Sequence, residues 1–132
     1  MKVMVLIKGD PASEAGVLPD AKYVDAMTAY NEQLVKSGVL LAAEGLYPSA
    51  MGKRVKFSGG NATVIDGPFT EAKELIVGFW MWQVKSMDEA VEWVKRCPKP
   101  EGVEEGEIEI RPIFETTEFI AEVHKREAKS GS

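Results

Sequence analysis

The sequence predicts an α+β domain of the ferredoxin-like arrangement: two βαβ halves in one sheet, an inserted hairpin and a C-terminal helix. Three observations predict it. Short apolar, β-branched runs alternate with segments of helical periodicity, glycine and proline mark the joints between them, and the order strand–helix–strand occurs twice in 132 residues. Both helices then fall on one face of the sheet.

Val3 to Ile7 is a β-branched-rich apolar run and reads as a buried strand. The segment from Gly9 to Pro19 holds Gly, Pro, Ser and Asp and reads as a long loop, a kind that often carries function. Asp20 is a good helix cap, and the segment to Ser37 repeats Tyr23, Met27, Tyr30 and Leu34 at helical spacing. Gly38 is the expected stop, and Val39 to Leu46 reads as a second strand. Arg54 to Phe57, a turn at Ser58-Gly59-Gly60-Asn61 and a return from Ala62 to Ile65 form a hairpin, followed by a turn at Asp66-Gly67-Pro68.

Leu75 to Val84 is the strongest strand signal. Ser86 and Glu89 are spaced as a capping box for a helix to about Arg96, with Met87, Ala90, Val91 and Val94 facing inward. Pro98 to Gly106 reads as a loop. Glu107 to Phe114 alternates, with Ile108, Ile110 and Phe114 on one face and Glu109 and Arg111 on the other. A last helix, from about Thr117 to Ala128, carries Phe119, Ile120 and Val123. The whole reads as one domain over residues 1–128 with a frayed tail at 129–132.

Sixteen basic against 21 acidic residues give a net charge of −5, which argues against nucleic acid and against anionic membrane surfaces as partners. Cys97 is the single cysteine and cannot form an internal disulfide, and the N-terminal apolar run is too short for a signal peptide or a membrane span. Cytoplasm is the expected location. One histidine and one cysteine cannot make a tetrahedral zinc site, and Gly59-Gly60 is not followed by the helix of a phosphate loop. Neither metal nor cofactor is expected.

Two helices on one face leave the other face bare, yet several strands are apolar on both sides. Val3, Val5 and Ile7 oppose Met4 and Leu6, and Ile76, Trp80 and Trp82 oppose Val77, Phe79 and Met81. A surface of that kind needs a cover, and a second copy in a homodimer is the simplest one. The rival cover is the terminal helix folding across the open face.

The segments Tyr30-Asn31-Glu32, Leu41 to Ser49, Asp66-Gly67-Pro68-Phe69-Thr70-Glu71-Ala72-Lys73-Glu74, Arg96-Cys97-Pro98 and Glu107 to Pro112 together resemble the YCII-related family, DGPF type, over about residues 1–116. The resemblance implies a dimeric α-β barrel of ferredoxin-like chains. It implies little about activity, since most DGPF-type members have no assigned one. Some relatives in the broader family look like small-ring enzymes, a dehydrochlorinase among them, with a His–Asp acid/base pair. That histidine would sit in the first helix, where residues 20–37 contain none, and His124 lies outside the resemblance. The pair is therefore not carried over.

The candidate residues each carry a plainer alternative. Asp66 is a possible ligand or base at a strand end, or an aspartate spent on its own turn. Glu44 interrupts an apolar strand as a desolvated base or as a paired structural carboxylate. Arg111 and Glu109 share a face, either to hold an anion or to pair with each other or with Glu44. Lys73 beside Glu74 is a ligand contact or a solvated turn residue. Tyr30, Trp80 and Trp82 would wall a pocket with Asp66 and Arg111, between the open sheet face and the Gly9–Pro19 loop. His124 reads as a surface residue near a helix end, and Cys97 as a buried thiol with no base beside it.

Two functions follow. One is small-molecule binding, with cofactor-independent proton transfer, isomerisation or elimination on a small anionic or aromatic compound. The other is a non-catalytic regulatory or interaction module that uses the dimer surface or the charged terminal helix.

Overall fold

The computed structural model describes residues 1–100 and 105–130, with the side chain of Lys73 outside the described residues. The elements run β1 (Lys2–Lys8), α1 (Pro11–Glu14), α2 (Ala21–Lys36), β2 (Leu40–Gly45), a 3-10 turn (Ser49–Met51), β3 (Lys53–Ser58) and β4 (Asn61–Asp66). A second 3-10 turn (Ala72–Glu74), β5 (Ile76–Gln83), α3 (Met87–Lys95), β6 (Ile108–Pro112) and α4 (Thr116–Ser130) complete them. The main sheet has the order β2-β5-β1-β6, each neighbouring pair antiparallel, and β3 and β4 form a separate two-stranded sheet. Interleaving the two βαβ halves in that order is compatible with the predicted ferredoxin-like fold.

Local chemistry accounts for most element boundaries. Asp20 accepts the Tyr23 N–H at 2.8 Å to open α2, and Gly38 takes φ 71°, a conformation glycine adopts without cost, to close it. Ser86 caps α3 by accepting the Glu89 N–H, while the Glu89 carboxylate accepts the Lys85 N–H, one residue before the cap. Gly59 and Gly60 both have positive φ, which lets β3 return as β4 in a two-residue turn.

The core lies between the sheet and the two helices. Val3, Val5, Trp80 and Trp82 from the sheet meet Tyr30 and Leu34 of α2 and Ala90 and Trp93 of α3, all buried. Tyr30 packs edge-on against Trp80 and Trp93 and donates its hydroxyl to the Trp93 carbonyl at 2.6 Å. Trp80 donates its indole N–H to Asn31 at 2.8 Å.

Several expectations are corrected. The Gly9–Pro19 segment contains α1, because Asp10 and Ser13 cap each other's backbone and Pro11 suits a first helical turn. Phe114 lies beyond β6, is 73% exposed, and stacks on Phe119 instead of continuing the Ile108/Ile110 face. In α3, Met87, Ala90 and Val94 pack on the core as expected, Val91 is not among the residues packed against it, and Trp93, not singled out from the spacing, is buried beside Ala90. α4 runs on through Lys129 and Ser130, buries no residue, and does not cover the open sheet face. Of the expected 98–106 loop, residues 101–104 lie outside the described residues, as do 131–132 of the tail.

Candidate functional site

The pleat sends alternate residues to opposite faces, so the aromatic core and the charged strand residues are separated by the sheet itself. Tyr30, Trp80 and Trp82 are 4%, 2% and 0% exposed and belong to the helix-covered face. Arg111 and Glu109 belong to the other. No single cleft holds both groups, which corrects the expected pocket. The tryptophans on β5, expected as pocket walls, line the core instead of a ligand cavity.

The open face is built from registered rows. Glu44, Phe79, Leu6 and Glu109 align across all four strands, and Ala42, Met81, Met4 and Arg111 align in the next row. The centre of these rows is apolar and half-buried, and their charges sit on the outer strands, with Lys8 at the end of the inner strand β1 beside them. At the β6 edge, Lys8 lies 3.6 Å from one Glu109 carboxylate oxygen and Arg111 lies 4.0 Å from the other. The Lys8 side chain is 19% exposed and that of Arg111 72%, so the cluster carries one surplus positive charge with the arginine turned to solvent. The Glu44 side chain, on the β2 edge, has no hydrogen bond or ion pair among the described residues. Lys8 was missing from the sequence candidates, although its spacing from Met4 and Leu6 is the signal that puts it on this face.

Asp66 is placed elsewhere. It ends β4 opposite Lys53 and forms an ion pair with that lysine in which both side chains are mostly solvent-exposed. The turn after it is held by a different network. Ser49 donates to the Glu14 carboxylate, accepts the Phe69 N–H at 3.0 Å, and has its own N–H bound by Glu14 at 3.0 Å. A Cβ on Gly67 would lie 1.7 Å from the Ser49 carbonyl oxygen, so only glycine fits there. The Gly67–Pro68 bond is cis, and Arg54 lies over the Phe69 ring at 3.8 Å. Glu14 and Ser49 were not legible as a pair, being 35 residues apart with no motif to join them. The side chain of Lys73 lies outside the described residues.

Titratable groups near the covered face are held neutral. Burial pushes the Cys97 thiol up to about 11, with Lys99 partly opposing, and it pushes the Tyr30 hydroxyl well above its ordinary range, with Cys97 adding to the effect. A thiol so shifted is a poor nucleophile. Two grooves flank α2, of about 350 Å3 lined by Thr28, Asn31, Glu32, Val35 and Lys36, and about 170 Å3 lined by Asp20, Lys22, Tyr23, Ala26 and Lys99. Neither includes Glu44, Asp66, Glu109 or Arg111. Among the described residues no cluster of His, Cys, Asp and Glu is arranged to hold a metal ion, and no helix is long and apolar enough to cross a membrane.

Comparison with known proteins agrees with the fold. An uncharacterised protein of Rhizobium meliloti (strain 1021) is 29% identical over 94 residues, covering 71% of this chain and 75% of the relative. The YCII-related domain matches residues 1–117, which is every element through β6 and the first residues of α4. The chain belongs to the YCII-related family.

Proposed function

We propose that the chain is a small-molecule-binding protein of the DGPF type that works as a homodimer, two open faces closing on one another as a dimeric α-β barrel. The observation that carries this reading is the open face itself. Met4, Leu6, Phe79 and Met81 form an apolar floor, bordered on one side by Glu44 and on the other by the Lys8–Glu109–Arg111 cluster. Apolar walls with a few convergent polar groups are what a ligand site offers, and a single chain leaves this one open to water. The surplus positive charge suits a small anionic or aromatic compound, with Arg111 as its anchor. Glu44 is the carboxylate free to take up or return a proton, which fits cofactor-independent isomerisation or elimination. Asp66, paired with Lys53 in water, suits a structural role at the hairpin base better than a catalytic one. The lone thiol and the lack of a membrane-crossing helix among the described residues fit a cytoplasmic location.

Light scattering at micromolar concentration should give twice 14.5 kDa, and a thermal-shift screen of small aromatic and aliphatic acids should find a stabiliser whose effect is lost in Arg111→Gln. A mass of one chain, or no stabiliser across the screen, would overturn the reading. A second reading, an interaction module, is favoured by α4 alone. Its Phe119, Ile120 and Val123 are 46%, 50% and 38% exposed, and most of the helix lies beyond the family domain.

A further inference from the structure

Two elements of the chain are exposed along their whole length. β3 and β4 form a two-stranded ribbon apart from the main sheet, with every residue exposed. One face of the ribbon carries Val55, Phe57 and Val64, with Val55 directly opposite Val64. α4 buries no residue, and one side of it carries Phe119, Ile120 and Val123, extended by the Phe114 ring that stacks on Phe119 at 4.7 Å. A lone two-stranded ribbon is marginal in water, and so is a lone helix of this length. We infer that the two are halves of one contact, in which α4 of one copy lies along the apolar face of the β3–β4 ribbon of a second copy.

Length and charge both fit. α4 has 15 residues and is about 22 Å long, while each ribbon strand has six residues and spans about 20 Å. The ribbon carries Lys53, Arg54 and Lys56 against a single carboxylate, Asp66, which is already paired with Lys53. Residues 115–122 are the reverse, with three glutamates and no cation. Glu122 is paired with Arg126, but the side chains of Glu115 and Glu118 have no ion pair among the described residues, and neither does Lys56. Lys56 springs from the other face of the ribbon, and its long stem reaches round an edge only one strand away.

The sheet keeps these two pieces of one chain apart. β2 leads to the ribbon from Gly45, which is in register with Gly78, whereas β6 leads to α4 from Pro112, in register with Val3 and through it with Trp82. Ribbon and helix thus leave from opposite ends of opposite edge strands, three strand spacings or about 14 Å apart across the sheet. Each copy offers one ribbon and one helix, so a reciprocal pair covers both elements twice. The contact uses no residue of the open sheet face, and most of α4 lies beyond the family domain. It secures two outlying elements rather than the core, and it stands or falls separately from the homodimer proposed above.

The test is disulfide trapping between full-length chains in a Cys97→Ala background, so that every thiol is an introduced one. One chain carries Phe57→Cys and the other Ile120→Cys. Both positions are exposed, circular dichroism verifies folding, and Val64→Cys with Val123→Cys is the second pair. Under mild oxidation at micromolar concentration, the mixed disulfide should form at least about tenfold faster than when Val17→Cys, another exposed position, replaces Phe57→Cys. That control carries any other association between the chains equally. Adding Glu115→Lys and Glu118→Lys to the helix-bearing chain should slow the trapping at least about threefold. A rate equal to the control for both pairs overturns the inference and leaves α4 to a partner of another kind. A rate that the glutamate reversals leave unchanged overturns it too, as unselective apolar adhesion. So does a single chain bearing both Phe57→Cys and Ile120→Cys that closes on itself at a rate independent of concentration, since the helix then covers its own ribbon.

Discussion

The two faces of the β2-β5-β1-β6 sheet carry side chains of similar size and opposite fates. On one face Val3, Val5, Trp80 and Trp82 are sealed by α2 and α3. On the other, Met4, Leu6, Phe79 and Met81 are only half-buried and run outward into charge. The covered face has the marks of a finished interior: edge-on aromatic pairs, a tyrosine hydroxyl spent on a backbone carbonyl, and titratable groups kept neutral. The open face has apolar area without a cover and charges without full pairing. One face holds the chain together, and the other is shaped to meet something outside it.

The sharpest break between the faces should come from paired deletions. Leu34→Ala removes a fully buried side chain of α2 and should cost about 2–5 kcal/mol in urea unfolding, the same at every protein concentration. Phe79→Ser on the open face should cost the isolated chain less, but it should abolish the rise of stability with protein concentration that a dimer confers. If instead Phe79→Ser destabilised the chain as much as Leu34→Ala at every concentration, the open face would already be a core and the contrast would collapse.

Most of this contrast was legible in the sequence. Alternation along β1 and β5 assigns Val3, Val5, Trp80 and Trp82 to one side and Met4, Leu6, Phe79 and Met81 to the other, and the order of elements assigns both helices to one side. Sequence reasoning failed at grouping residues across distance. It joined Tyr30 and the tryptophans to Arg111 because aromatic walls and an arginine suit a ligand, although the same alternation that sorts β5 and β6 keeps them apart. It also read Asp66 as a pocket residue, because strand-end aspartates invite that reading and nothing local reveals Lys53 across the hairpin. The Glu14–Ser49–Phe69 network was invisible for a related reason: each tie crosses between loops whose approach is set by the sheet and by the close fit of Gly67. Phe114 was misplaced because alternation alone cannot show where a strand stops.

Within the covered face, the two tryptophans of β5 offer a finer comparison. The Trp80 indole N–H is bound by Asn31, whereas the Trp82 indole N–H is buried with no partner among the described residues. Replacing either with phenylalanine removes about the same volume, so the packing losses should be similar. Trp80→Phe additionally strands the Asn31 carbonyl oxygen, while Trp82→Phe deletes a donor that was already unmet. Trp80→Phe should therefore be the costlier change, by about 1–2 kcal/mol in urea unfolding. Equal costs, or the reverse order, would mean that the Trp82 N–H is satisfied by a buried water and that this face is wetter than its side chains suggest.

The smallest effect expected concerns alkaline pH, to which the covered face should respond through Cys97 and Tyr30. The folded-state thiol is raised to about 11 from an ordinary 9.0, mainly by burial, so the folded chain keeps a proton that the unfolded chain has lost. Stability from this group is full below about pH 9 and declines as pH rises through about 11. Tyr30 is shifted in the same direction and for the same leading reason, so its contribution begins to fall only above the ordinary tyrosine value of 10.0. Replacing Cys97 with alanine should thus delay the onset of alkaline destabilisation from near pH 9 to near pH 10 without abolishing it. Urea midpoints at pH 8, 9.5 and 10.5 measure this, and the comparison is of slopes, since the substitution itself shifts the baseline. Because the thiol is only partly buried, solvent screening tempers the effect and keeps it below those of Leu34→Ala and Trp80→Phe. An unchanged slope in the variant would mean that Cys97 is hydrated in the folded chain, and that the sealed part of the covered face ends at Trp93 rather than reaching past the end of α3.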